Sequence, residues 1–144
     1  MTTYQPSHAG ICVRSLERSL RFYCDGLGFE KAEAYELDST IAPGIERALE
    51  ARGEVAITSQ FIAKDGMRIE LLHFRDRDAT GTPSQTRTQL GLTHLCFVVP
   101  DVDGAAERLL EYGALVLDGT RSTPGTDIVF VMDPDGVRIE LMRG

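Results

Sequence analysis

The chain has 144 residues, 42% of them apolar and 26% charged, with a net charge of −7; this is soluble composition, long enough for one domain or two small modules. Lys and Arg are scattered and form no run, which argues against nucleic acid as a partner. No apolar run approaches the roughly 18 residues of a membrane span, and no charged segment leads into an apolar one at the start.

In chain order, His8 opens the apolar run AGICV, a short strand. Ser15 is a candidate N-cap for a helix in which Leu16, Leu20 and Tyr23 recur at helical spacing, and Gly26 is the expected stop. Residues 29–37 and 54–63 read as strands. Between them, 38–53 (DSTIAPGIERALEARG) predicts a short helix with Pro43 near its first turn. The turn Lys64-Asp65-Gly66 is hairpin chemistry and leads into DGMRIEL at 65–71. Residues 75–91 are polar, contain Pro and Gly, and read as a linker.

His94 then opens LCFVV. Asp101 is the expected cap of a second helix with the stripe Val102, Ala105, Ala106, Leu109 and Leu110, ended by Gly113. Strands follow at 114–118 and 126–132, then the turn Pro134-Asp135-Gly136 and DGVRIEL at 135–141. Cys12, Cys24 and Cys96 are odd in number and widely spaced, the pattern of reduced thiols in a cytoplasmic protein.

The repeated DG-x-R-I-E-L and the two leading His residues divide the chain into two β-α-β-β-β halves. The His-to-Glu separation is 62 residues in the first half and 46 in the second, and the excess of 16 matches the length of 38–53. That segment is therefore an insertion, expected to act as a lid or specificity element.

Side chains alternate across a strand, so parity assigns faces. Met67, Ile69 and Leu71 share the core face of one strand and Val137, Ile139 and Leu141 that of the other, which leaves Glu70 and Glu140 on the opposite faces, together with Arg68 and Arg138. His8 and His94 oppose the core sets of their own strands. A lone strand His or Glu is ordinarily a hydrogen-bonded or solvated residue; four at repeat-equivalent positions predict a metal site. Two imidazoles and two carboxylates suit Zn, Ni, Co, Fe or Mn without choosing among them. His73 shares the core parity and has no counterpart, so it is structural. Arg68 and Arg138 could orient an anionic substrate, but sheet-edge salt bridges are the expected role.

The pattern resembles the vicinal-oxygen-chelate superfamily over roughly 8–142, most specifically in HAGICVRSLERSLRFYCDGLGF, GLTHLCFVVPDVDGAAERL and DPDGVRIEL. The resemblance implies an α+β fold of paired β-α-β-β-β modules with curled mixed sheets around a metal. It implies one such domain over 1–144, with modules 8–74 and 92–143 joined by linker 75–91. The family's metal ligands fall on His8, Glu70, His94 and Glu140, with Glu140 and Glu70 as candidate catalytic proton shuttles. A carboxylate at Glu70 is similar to glyoxalase I.

The implied activity is that of a metal-dependent lyase or isomerase, moving a proton next to a chelated carbonyl through an enediolate or enolate. The substrate would be a small molecule with neighbouring oxygens, and the protein a homodimer. Classical glyoxalase I has an Arg four residues after its first ligand and an Asn four after its second, both glutathione contacts. Here those positions hold Cys12 and Phe74, so glutathione is not the expected co-substrate. The family's alternatives are an acyl-CoA or sugar-type epimerase, an Fe(II) extradiol-type dioxygenase and a non-catalytic resistance protein that binds an antibiotic.

Overall fold

The computed structural model describes residues 1–122 and 127–144; residue 126, the start of one predicted strand, lies outside them. The element order repeats, as the sequence implied. The first half holds β1 (Ala9–Cys12), a helix α1 (Leu16–Leu20) running on into a π-helical segment (Arg21–Gly26), β2 (Glu30–Asp38), α2 (Ile45–Ala48), β3 (Ala56–Lys64) and β4 (Met67–Phe74). The second holds β5 (Leu95–Val99), α3 (Val102–Leu110), β6 (Leu115–Leu117), β7 (Ile128–Met132) and β8 (Arg138–Arg143). Two four-stranded mixed sheets result, ordered β1-β4-β3-β2 and β5-β8-β7-β6. In each, the first and last strands pair in parallel and the other pairings are antiparallel.

The chain forms two compact units, Met1–Leu16 with Gly28–Thr80, and Glu17–Leu27 with Gly81–Gly144. The helix encoded in the first half therefore belongs to the second unit. In the first unit the core is built from Val13, Ile57, Ile62, Ile69 and Leu71, each 2% exposed or less. Of the parity set predicted for β4, Ile69 and Leu71 are buried here, while Met67, at the hairpin end of the strand, is exposed. Buried Gln60 braces an irregularity in the sheet, since β2 bulges between Lys31 and Ala34 and the Gln60 amide donates to the Ala32 and Glu33 carbonyls there.

In the second unit Ile139, Leu141, Val129 and Val131 form the sheet's buried face, and α3 adds Val102, Ala106 and Leu109. Asp101 caps α3 as expected, accepting from the Gly104 amide at 3.1 Å. Gly113, at φ +92°, ends it. Leu110 is exposed, at the margin of the predicted stripe.

The first helix departs from its predicted phase. Instead of Leu16, Leu20 and Tyr23, the buried positions are Ser19, Phe22 and Tyr23. The cause is the π turn, seen in the Leu27 amide donating five residues back to the Phe22 carbonyl at 3.0 Å. Its wider winding places Phe22 and Tyr23 inward together, with their rings edge to face at 5.0 Å. The left-handed stop lies at Gly28 (φ +82°), not Gly26. Gly26 instead admits a close neighbour, since a Cβ there would stand 3.2 Å from Leu109 and Tyr112. Likewise Pro43 precedes the α2 cap, Gly44 at φ +90°, rather than opening the helix.

Both hairpin turns form where expected, by different means. Asp65 and Gly66 both take positive φ (47° and 84°), a primed turn matched to strand twist. Pro134 cannot do so, and Asp133 supports its turn instead by accepting from the Asp135 and Val137 amides at 2.8 and 2.9 Å. Its other oxygen accepts from the fully buried Tyr23 hydroxyl at 2.8 Å. Burial outweighs these three hydrogen bonds and raises the Asp133 carboxyl above its usual range; burial, followed by the Asp133 charge, raises Tyr23 well above its own.

A raised carboxyl withdraws stability as pH climbs through its folded value, because the fold favours the protonated form. The Tyr23 hydroxyl opposes that loss, as it supports the ionised form. Tyr23→Phe is therefore expected to cost about 1–3 kcal/mol at neutral pH, and measurably less at pH 3, as read by urea unfolding at the two pH values. Equal penalties at both would show that Asp133 does not ionise in the fold.

Candidate functional site

Each unit presents a His/Glu pair on the sheet face opposite its core. In the first, Glu70 sits mid-strand on β4, in register with Gly10 of β1 on one side and Phe61 of β3 on the other. In the second, Glu140 of β8 is flanked in the same way by Cys96 of β5 and Phe130 of β7. The correspondence reaches beyond the four predicted residues. His8 Nδ1 lies 2.9 Å from the Ser7 hydroxyl, and His94 Nδ1 lies 2.8 Å from the Thr93 hydroxyl. His8 meets Phe61 edge to face at 5.0 Å, and His94 meets Phe130 at 5.2 Å.

In both halves, then, a hydroxyl occupies Nδ1 and an aromatic ring packs edge to face against the imidazole. Outer partners of this kind orient metal-binding imidazoles. A hydroxyl both donates and accepts, so it serves whichever ring tautomer is present.

The halves differ in how each carboxylate is held. Glu140 Oε2 stands 2.9 Å from His94 Nε2, with the two side chains 16% and 30% exposed. Glu70 Oε2 instead accepts from the Ser59 hydroxyl at 2.6 Å. Ser59 lies two residues from Phe61 on β3; the corresponding position on β7 is Ile128. Cys96 stands beside Glu140 across the β5·β8 pairing, and burial, followed by that carboxylate, pushes its thiol up.

The two strand arginines separate as well. Arg68 is ion-paired to Glu33 and lies over the Phe61 ring at 4.2 Å, in line with the expected sheet-edge salt bridge. Arg138 instead donates to the Gly136 carbonyl at 2.8 Å and to the Met132 sulfur. His73, expected to be structural, is half-buried with Nδ1 3.3 Å from the Val13 carbonyl. Sequence reasoning missed Ser59, Phe61, Phe130, Ser7 and Thr93, and it read Arg87 as linker. Arg87 lies over Phe130 at 5.6 Å, with its guanidinium pushed below its usual value by burial and then by neighbouring Arg138.

In kind, the donors of each pair fit a divalent ion: an imidazole with Nδ1 already engaged and a carboxylate on the adjoining strand. Among the described residues, no group of three or more His, Cys, Asp or Glu side chains is gathered closely enough to hold an ion.

Paired β-α-β-β-β modules, each with a His and a Glu on the open face of its sheet, define the vicinal-oxygen-chelate class of proteins. A sequence model for that class matches residues 5–141, and the chain belongs to the glyoxalase/bleomycin resistance protein/dioxygenase superfamily. It is 28% identical over 137 residues to the catechol-2,3-dioxygenase of Bacillus subtilis, covering 93% of this chain but only 39% of that protein. It is 28% identical over 140 residues to a probable lactoylglutathione lyase of Synechocystis, covering 94% and 92% of the two chains. Among solved structures, a glyoxalase family protein from Bacillus cereus superposes with a TM-score of 0.80 at 18% identity, over 99% and 95% of the two chains. The fosfomycin resistance protein FosX of Listeria monocytogenes, solved with Mn(II) and sulfate, superposes at 0.63 with 19% identity, over 99% and 94%. No helix among the described residues is long and apolar enough to cross a membrane.

The Cys96 environment makes a direct prediction. Its raised thiol should alkylate more slowly than exposed Cys12 at pH 8. Glu140→Gln removes the adjacent charge and should speed Cys96 a few-fold, as followed by peptide mass spectrometry. An unchanged rate would mean that the carboxylate does not reach the thiol.

Proposed function

We propose that the chain is a divalent-metal-dependent enzyme of the lyase/isomerase type that transfers a proton at a carbon next to a chelated carbonyl. The observation that carries this reading is the repeat-equivalent pair of imidazoles, each with Nδ1 engaged by a hydroxyl and each accompanied by a carboxylate. His8, Glu70, His94 and Glu140 are the proposed ligands, and the protein is proposed to act as a homodimer on a small molecule with neighbouring oxygens. A bound divalent ion would stabilise negative charge developing on the carbonyl oxygen.

The chain's own contribution is proton handling and orientation. A carboxylate beside the reacting carbon can take and return its proton. Glu140 and Glu70 are the two candidates, and their settings differ. The Ser59 hydroxyl donates to Glu70, while Glu140 has the His94 imidazole within reach. Cys12 and Phe74 stand where glyoxalase I uses Arg and Asn, and Phe74 is covered by the Arg77 guanidinium at 5.7 Å. The proposed substrate is accordingly not a glutathione adduct, despite the likeness to a probable lactoylglutathione lyase. The insertion 38–53 is proposed to help select it.

One observation favours a second reading. With Glu70 tied to Ser59, the remaining set of His8, His94 and Glu140 is the two-His, one-carboxylate kind used by Fe(II) oxygenases, in keeping with the likeness to catechol-2,3-dioxygenase.

Metal analysis separates these readings from a binding protein. The purified protein should hold a stoichiometric divalent ion, and His94→Ala or Glu140→Gln should abolish its retention. Thr93→Val and Ser7→Ala, which remove only the outer hydroxyls, should weaken metal affinity by about 10–100-fold. Deuterium exchange next to the carbonyl of 2-oxo and acyl thioester substrates should stop when metal is chelated. Exchange that survives chelation would overturn the reading, and oxygen uptake with catechol would select the dioxygenase.

A further inference from the structure

We propose that the second unit carries a binding site for the anionic arm of the substrate, a carboxylate or phosphate held between Arg87 and Arg138 in a cleft one phenyl ring away from the His94/Glu140 pair. The cleft is lined by Arg87, Arg138, Phe130, Thr86 and Thr120 among others, with a volume of about 180 Å³. That is room for a charged head group rather than a whole ligand.

Its electrostatics are unusual for this chain. Arg18, Arg68, Arg75, Arg77, Arg121 and Arg143 each pair with a carboxylate. Arg87 and Arg138 are held by backbone carbonyls instead. Arg87 donates to the Thr93 carbonyl and, at 2.8 Å, to that of Ser84; Arg138 donates to the carbonyls of Gly136 at 2.8 Å and Gln85 at 3.5 Å. Among the described residues neither forms an ion pair, and residues 123–126 contain no acid. Glu140, two positions along the strand from Arg138, is engaged by His94.

The carbonyls fix the direction of both guanidiniums without neutralising them. Two fixed, uncompensated like charges lining one cleft in a chain of net charge −7 are costly unless an anion joins them. Guanidinium forks suit carboxylate and phosphate oxygens.

Placement supplies the link to chemistry. Phe130 touches His94, at 5.2 Å between ring centres, and carries Arg87 at 5.6 Å. Phe130 also faces Glu140 across the β7·β8 pairing, and Arg138 shares the Glu140 face. A substrate with its charged end in the cleft thus has its next few atoms directed along Phe130 toward His94. The first unit has no equivalent, because Arg68 there is neutralised by Glu33. The inference rests on the proposed function only for where the reacting end lies; anion binding itself requires no metal.

The test uses metal-free full-length protein at low ionic strength, titrated with inorganic phosphate and separately with malonate, by amide NMR. Saturable shifts centred on Thr86, Arg87 and Phe130 are expected, with a Kd below about 10 mM for at least one probe. The tighter probe identifies the arm as phosphate or carboxylate. Arg87→Gln and Arg138→Gln should each weaken binding about tenfold, the Lys variants less, and Arg52→Gln, an equal charge loss elsewhere, not at all. If a Gln variant does not fold, its Lys counterpart must still show weakened binding.

Scattered, non-saturating shifts, or equal binding by wild type and the Gln variants, would overturn the proposal. Zn(II) titration of the same proteins keeps the two ideas apart. Anion binding without metal uptake upholds the cleft and removes the metalloenzyme reading; metal uptake without anion binding does the reverse.

Discussion

The parallel pairing of the first and last strand in each sheet is the constraint on which the candidate site depends. It sets Gly10 against Glu70 and Cys96 against Glu140. The His two residues before each partner then lies on the carboxylate's face, within reach of a Glu side chain. A one-residue slip in either pairing would turn the Glu into the core and bring a buried Ile or Leu to the open face. Register is protected because the same alternation buries Ile69, Leu71, Ile139 and Leu141 almost completely. The hydrophobic effect that builds each sheet thereby aims its His and Glu side chains.

Duplication explains the shared plan, and the departures from symmetry give the two His/Glu pairs different surroundings. At the register position of the carboxylate, one half has Gly10 and the other a thiol. Behind the carboxylate, one half has Ser59 and the other an aliphatic residue. Beside the aromatic ring, one half has a neutralised arginine and the other two arginines that, among the described residues, have no carboxylate partner. Each difference shifts charge or hydrogen bonding without moving the backbone. Two equivalent carboxylates can in this way be given unequal roles.

Much of this was legible in the sequence. Parity placed the four His and Glu residues on the correct faces, because a period of two is fixed by strand geometry whatever the partner strand. The Asp101 cap and both hairpin turns are local and were equally readable. What stayed hidden was set by pairing at a distance. Phe61, Phe130 and Ser59 matter through which residue they face across a strand, and nothing within their own strands marks it. The π turn in the first helix shifts its buried face, an irregularity that a 3.6-residue template cannot register. Arg87 lies in an aperiodic polar stretch, where composition reads as linker and gives no hint of a stacked, half-buried guanidinium.

The exchange of the first helix bears on how the protein comes to exist as a folded object. The chain enters the first unit, leaves it at Glu17 to build part of the second, returns at Gly28 and leaves again at Gly81. The Tyr23–Asp133 hydrogen bond spans 110 residues of sequence. During synthesis, Phe22 and Tyr23 emerge long before the surface that will bury them, and contacts so distant in sequence form slowly. A cut between the two halves would therefore strip the second unit of the Glu17–Leu27 segment, and with it Phe22 and Tyr23, which the second half cannot supply for itself.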